Sequence, residues 1–178
     1  MKILNGYNKN FDKVLDKLLS QRRNKVKYDF TRVTNIIRDV KKNGDKAVLK
    51  FEKRFSKNNT IIPSKKKISK TISLLDKKIK KAIDLAYNRI HKFHSLQKFK
   101  SISYTDELKN KLLYKYLPID AVAIYVPGST ASYPSSVLMN AIPAMVAGVK
   151  RIIMMNPSFM GKQNPAVLYA ARKCKIKE

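Results

Sequence analysis

His91 and His94 are the chain's two histidines, and their spacing of three residues puts both imidazoles on one side of a helix. Such a pair can share an ion. A catalytic zinc ordinarily takes three protein ligands, however, and no HExxH or cysteine pair stands nearby to complete the set. Hydrogen bonding along a basic helix surface is the stronger reading of both. Cys174, the single cysteine, lies four residues from the end. It excludes an internal disulfide framework, and no neighbouring histidine supports a nucleophilic role. Ser-His-Asp catalysis has its residue types present but no supporting spacing. Asp120 and Glu107 are the carboxylates that can be imagined working as acid and base across a cleft. A lone Asp ahead of a strand is more often a turn residue, and no paired-carboxylate geometry can be read here. No catalytic residue and no metal ligand is therefore assigned.

The more informative segment is AIYVPGSTASYPSSVLMNAIPAMVAGVKRIIMMNP, Ala123 to Pro157. It reads as a strand, a loop of small hydroxyl-bearing residues, a helix and a second strand. Loops at the carboxyl ends of parallel strands are where open α/β sheets bind ligands. Gly128 can let the backbone approach a ligand closely. Ser129, Thr130, Ser132, Ser135 and Ser136 offer hydroxyls, and the helix-start amides can receive an anion. Tyr125 and Tyr133 can give a nucleotide a flat face or a phenolic hydrogen bond. The plainer alternatives are that Ser135 or Ser136 caps the helix and that the tyrosines pack. Neither GxGxxG nor GxxxxGK[ST] is present. These residues reach a phosphate- or nucleotide-facing loop and no further.

The elements that must hold this loop are legible from periodicity. Phe11, Val14, Leu15, Leu18 and Leu19 have helical spacing. Thr31 to Phe55 continues in that style with two apolar stripes, one of Val33, Ile36, Ile37 and Val40, the other of Ala47, Val48, Phe51 and Phe55. Asn43-Gly44-Asp45 divides them into two helices, Gly44 supplying the turn and Asp45 a cap. After Pro63 and Ser64 one long basic helix is expected, with Ile72, Leu75, Ile79, Ile83, Ala86, Ile90 and Phe93 on its packed side. Lys111 to Pro118 is strand-like, and Ala121 to Pro127 reads as a buried strand. Val137 to Val149 is helical with Pro143 inside it, Arg151 to Met155 is a second strand, and Ala166 to Lys173 a final helix. The expected fold is α/β. An N-terminal helical segment, 1–100, precedes an incomplete Rossmann-like parallel-sheet layer, 101–178.

At 178 residues and 44% apolar, the chain can bury a core. No apolar run approaches the roughly 20 residues of a membrane span, and the first residues make a poor signal peptide, so a cytoplasmic location with no membrane partner is expected. Thirty-nine basic residues against 12 acidic ones give a net charge of +27. Thirty-one of the basic residues are Lys and eight are Arg, spread through nearly every segment up to residue 115. Arg supplies the rigid fork of specific phosphate and base contacts, whereas Lys is a hydrated point charge. A solvated Lys-rich surface is favoured over a nucleic-acid footprint, and any nucleic-acid binding is expected to be non-specific.

YVPGSTASYPSSVLMNAIPAMVAGVKRIIMMNP resembles the diagnostic region of histidinol dehydrogenases. IIRDVKKNGDKAVLKFEKRF, Ile36 to Phe55, and AYNRIHKFHSLQ, Ala86 to Gln97, match upstream parts of the same family in order and spacing. That resemblance implies an enzyme of histidine biosynthesis that oxidises L-histidinol to the aldehyde and then to L-histidine. It implies NAD and zinc as cofactors, and homodimers whose subunits complete each other's sites. Tyr125 matches a tyrosine that contacts NAD, and Gly128 and Ser129 match a loop beside nucleotide and substrate. Ser129 stands where the family normally has a second glycine, so an added Cβ enters a tight turn. Family members are more than twice this length, and their zinc ligands, catalytic glutamate–histidine pair and other NAD contacts lie beyond the match to Glu178. The expectation is a truncated homologue, inactive alone, whose partner is a second copy or a missing C-terminal fragment. L-histidinol is a ligand only where that site is completed. The alternatives are one piece of a split histidinol dehydrogenase completed by a downstream polypeptide, and a basic non-enzymatic nucleic-acid-binding protein.

Overall fold

The computed structural model describes residues 4–24, 30–128, 132–158 and 160–177. The chain divides into two compact units, residues 1–47 and 48–178. The first holds α1 (Phe11–Asn24) and α2 (Phe30–Asn43), and α3 (Asp45–Phe55) begins in it. Gly44, at φ 54°, separates α2 from α3 as the glycine signal indicates. Asp45 is the first residue of α3 rather than its cap; the Gly44 carbonyl accepts from the Ala47 amide instead.

In the second unit the single basic helix expected after Pro63 is two. α4 spans Lys65–Ser73 and α5 spans Lys77–Ser95. The break is chemical. Ser64 accepts the Lys67 amide at 3.2 Å and Asp76 accepts the Lys78 amide at 2.6 Å, so each helix has its own N-cap. The apolar periodicity runs through the break because Ile72, Leu75 and Ile83 are all buried.

β1 (Ile102–Thr105) and β2 (Lys111–Tyr114) form an antiparallel hairpin with Ile102 opposite Tyr114 and Thr105 opposite Lys111. Asp106 closes its turn: the backbone amide of Asn110 donates to Asp106 Oδ1 at 2.7 Å, and Lys109 takes φ 66°. Both faces of the hairpin are exposed, and Phe99 stacks on Tyr116 with ring centroids 4.8 Å apart.

β3 (Ala121–Tyr125), α6 (Pro134–Ala147) and β4 (Arg151–Met155) make a parallel strand–helix–strand unit with Ala121 beside Arg151 and Tyr125 beside Met155. α7 (Pro165–Lys173) follows. α5, α6 and α7 pack on one another, and α6 packs on β3. Ile124, Val126, Val137, Leu138, Ala141, Ile142, Val167, Ala170 and Cys174 form the core. The expected buried strand is buried on one side only. Ala121, Ala123 and Tyr125 are exposed, because the helices described here cover a single face of the two-stranded sheet. The architecture is an incomplete α/β layer. Among the described residues, no helix is long and apolar enough to cross a membrane.

A polar staple fastens α7 to α5. Lys173 Nζ lies 2.8 Å from Asp84 Oδ1, and the Tyr169 hydroxyl donates to the same carboxylate at 3.0 Å. The Lys173 hydrogen bond, aided by Tyr169 and opposed by partial burial, holds the Asp84 carboxyl below the ordinary aspartate range. A group whose folded pKa is depressed stabilises above its unfolded value, and that contribution disappears as pH falls through the folded one. Asp84→Asn is therefore expected to lower the unfolding midpoint at neutral pH. The gap to the parent protein should begin to narrow below about pH 4, the ordinary aspartate value, and close as pH falls on through the lowered value of the folded carboxyl. Thermal unfolding of both proteins from pH 7 to pH 2.5 checks this, and a gap constant across that range would refute it.

Candidate functional site

Two connections meet at the carboxyl ends of the parallel strands. The first leaves β3 through Val126, Pro127 and Gly128; the second leaves β4 through Asn156, Pro157 and Ser158. Val126 is 0% exposed, and its amide donates to the Met155 carbonyl at 2.9 Å, adding one rung beyond the assigned strands. The Asn156 side-chain amide donates to the Val126 carbonyl at 2.9 Å and lies 3.4 Å from that of Pro127. A Cβ on Gly128 would fall 1.9 Å from the Pro157 carbonyl oxygen. The two connections thus touch backbone to backbone. Gly128 does permit a close approach, but what approaches it here is the neighbouring connection.

Tyr125 ends β3 and is 61% exposed, on the sheet face opposite the helices and in register with Met155. Ser129 and Thr130 fall outside the described residues, so neither has a placement. α6 begins at Pro134, three residues earlier than the apolar pattern indicates, because proline suits the first helical position, where no backbone donor is needed. Ser135 and Ser136 consequently lie inside its first turn, and neither is the cap. Tyr133 holds the cap position with no side-chain hydrogen bond, and the Ser136 amide turns back to the Tyr133 carbonyl. Ser132 and Tyr133 are exposed on that approach. The start of α7 is differently furnished: Asn164 Oδ1 accepts from the amides of Ala166 and Val167.

The remaining candidates lie elsewhere. His94 Nδ1 is 2.6 Å from Gln97 Oε1, and His91 Nδ1 is 3.3 Å from the Ser95 hydroxyl, so both histidines have hydrogen-bond partners within their own helix region. Among the described residues no group of three or more His, Cys, Asp or Glu side chains could hold a metal ion. Cys174 is 2% exposed, and burial pushes its thiol up to about 11, which leaves it protonated and inert at neutral pH. Glu107 lies in the turn of the β1–β2 hairpin. Asp120 precedes β3 with its carbonyl accepting from the Arg151 amide.

Composition and periodicity did not single out Asn156 or Ser158. The Ser158 hydroxyl is buried without a partner among the described residues, and so is Gln163 Oε1, both in the connection from β4 to α7. The available signal was Asn-Pro directly after a strand. Proline ends the donor series there, and asparagine carries a substitute donor in its side chain.

The family model described as histidinol dehydrogenase matches residues 19–178. A histidinol dehydrogenase of Pelagibacter ubique (strain HTCC1062) is 72% identical over 178 residues, which is 100% of this chain and 42% of that protein. One from Psychrobacter arcticus is 40% identical over 181 residues, 99% of this chain and 42% of that protein. The crystal structure of histidinol dehydrogenase from Elizabethkingia anophelis shares the fold with a TM-score of 0.79 at 33% identity, covering 85% of this chain and 36% of that one. The chain spans about two fifths of the length of these relatives.

Proposed function

Since the chain belongs to the histidinol dehydrogenase family, we propose that it supplies part of the nucleotide-facing wall of an NAD- and zinc-dependent enzyme that oxidises L-histidinol to L-histidine. The observation that carries this reading is the exposed Tyr125 at the carboxyl end of a parallel strand, beside a connection held close to its neighbour. Strand ends of this kind are where α/β sheets take nucleotides. In this reading Tyr125 offers its ring and hydroxyl to NAD, and Gly128 keeps the adjoining backbone low enough for the cofactor to lie across it. Ser129 is assigned to the same contact on the resemblance alone. NAD would accept the hydride. The described residues fit part of a nucleotide site and do not fit zinc, for which no ligand cluster exists among them. No step through the metal is derived from this chain.

Oxidation of the alcohol and of the hydrated aldehyde also needs a proton acceptor held against the substrate. We assign no residue here to that role, and the 178 residues alone are expected to form no NADH from histidinol. A second observation favours a polypeptide partner that completes the site. Ile102, Tyr104, Leu112 and Tyr114 are all more than half exposed on one face of the hairpin. So large an apolar surface is characteristic of a contact region. The partner is a second copy or a chain carrying the rest of the family fold.

The test has two arms. NADH titration by fluorescence is expected to show weak binding to the chain that Tyr125→Ala lowers by about tenfold, the loss of one good stacking or hydrogen-bond contact. Separately, NAD, zinc and L-histidinol are added to the chain with and without a co-expressed polypeptide covering the remainder of the Pelagibacter relative. NADH should form only with both present. Turnover by the chain alone, or unchanged binding in Tyr125→Ala, would overturn the proposal.

A further inference from the structure

The end of the β3–β4 ladder carries an irregularity that the sequence repairs. In a parallel pair, alternate residues of one strand use both amide and carbonyl toward the same neighbour. Asp120 accepts from the Arg151 amide, and Val126 donates to the Met155 carbonyl. Continuing that series, the Val126 carbonyl should accept from the backbone nitrogen of residue 157. Residue 157 is proline and has no hydrogen to give. The Asn156 side-chain amide reaches the Val126 carbonyl in its place, at 2.9 Å. Val126 is wholly buried, so water is a poor substitute donor.

We propose that Asn156 is a positioning residue: its side-chain amide replaces the backbone donor lost at Pro157 and locks the β3 connection, Val126–Gly128, in the geometry that receives the nucleotide. The ligand half of this inference rests on the NAD reading given above; the ladder half does not. The Pro157 carbonyl oxygen sits against Gly128, where a side chain would collide with it. Asparagine then joins the two connections across the gap, reaching toward the Pro127 carbonyl as well. The pair Asn156-Pro157 thus makes the closing contact of the sheet a side-chain contact.

The distinguishing experiment is rescue. Asn156→Ala removes the donor, and the double variant Asn156→Ala with Pro157→Ala returns a backbone N–H at the position the ladder calls for. In the single variant the Val126 carbonyl loses its donor, so the adjoining last rung, Val126 N–H to the Met155 carbonyl, should open more often. Exchange of that amide should quicken by about tenfold, and NADH affinity should fall by a similar factor. The double variant should recover most of both. Asn156→Asp keeps the shape but sets an acceptor against a carbonyl, and should behave like Asn156→Ala or worse. Far-UV circular dichroism checks that each variant is folded. Unchanged exchange in Asn156→Ala, or no recovery in the double variant, would overturn the role of Asn156. If the parent chain binds no NADH, the function reading fails, and the exchange arm still decides whether Asn156 closes the ladder.

Discussion

Gly128→Ala is expected to destabilise the protein by about 3 kcal/mol, at the upper end of what overpacking costs, because its one added carbon has nowhere to go. That Cβ would lie 1.9 Å from the Pro157 oxygen and 2.9 Å from its carbonyl carbon, both of them backbone atoms. A flexible side chain can swing aside from such a collision; a backbone carbonyl cannot move without dragging its connection. The Asn156 amide, 3.4 Å from the same point, is only in ordinary contact, so the collision falls on the Pro157 backbone and reaches the Asn156–Val126 hydrogen bond through the shift of that connection. For a chain of this size that destabilisation corresponds to a fall in unfolding temperature of about 6–12 °C. Gly6→Ala, with nothing near its Cβ, is the control and should stay within about 0.5 kcal/mol of the parent. Urea unfolding of the three proteins checks both values. A Gly128→Ala protein as stable as the control would mean that the two connections do not meet as described.

The effect is steric and owes nothing to backbone handedness, which is why composition and spacing alone reached only half of it. A glycine after YVP announced a close approach but not what would approach. The other party, Pro157, lies 29 residues along the chain, and only a parallel pairing of β3 with β4 brings it alongside. Elements with strong periodicity were legible: the helices to either side of Gly44, the strands at Ala121 and Arg151, and the last helix. Contacts fixed by chemistry at a single residue were not. Asp76 divides one apolar stripe into two helices by capping, and the stripe continues unbroken beneath it. Pro134 starts α6 ahead of its apolar pattern. The one-sided burial of β3 was hidden for a different reason. An apolar run such as AVAIYV is what a strand covered on both faces would show, and Ala123 and Tyr125 keep that character on the face that no described helix covers. At the candidate site Tyr125 and Gly128 were singled out by the strand-end loop and again by the resemblance, whereas Asn156 required the ladder's geometry.

Ile142→Ala should be the most damaging of the simple core truncations, at about 3–4 kcal/mol. Ile142 is fully buried on α6, one turn from Leu138 and facing the cluster that α6 shares with α5, α7 and β3. Its removal leaves a cavity that can close only if a helix shifts, and the Asp84 staple to Tyr169 and Lys173 ties α5 to α7 against such a shift. Residual cavity volume is what raises the cost of a truncation above the transfer free energy of the lost methyl groups. Met139→Ala, on the same helix but half-exposed, removes similar bulk and should cost less than about 1 kcal/mol, which separates packing from helix propensity. Denaturant midpoints of the two variants measure the contrast, and equal effects would refute it. The loss at Ile142 should also reach the strand ends. α6 starts at Pro134, after the β3 connection, and packs on β3, so a shift of the helix disturbs the strand that carries Tyr125. With only one face of the sheet covered by the helices described here, each buried residue on that face carries a larger share of the stability than it would in a sheet packed on both sides. Nucleotide affinity is therefore expected to fall together with stability in Ile142→Ala and to remain at the parent value in Met139→Ala.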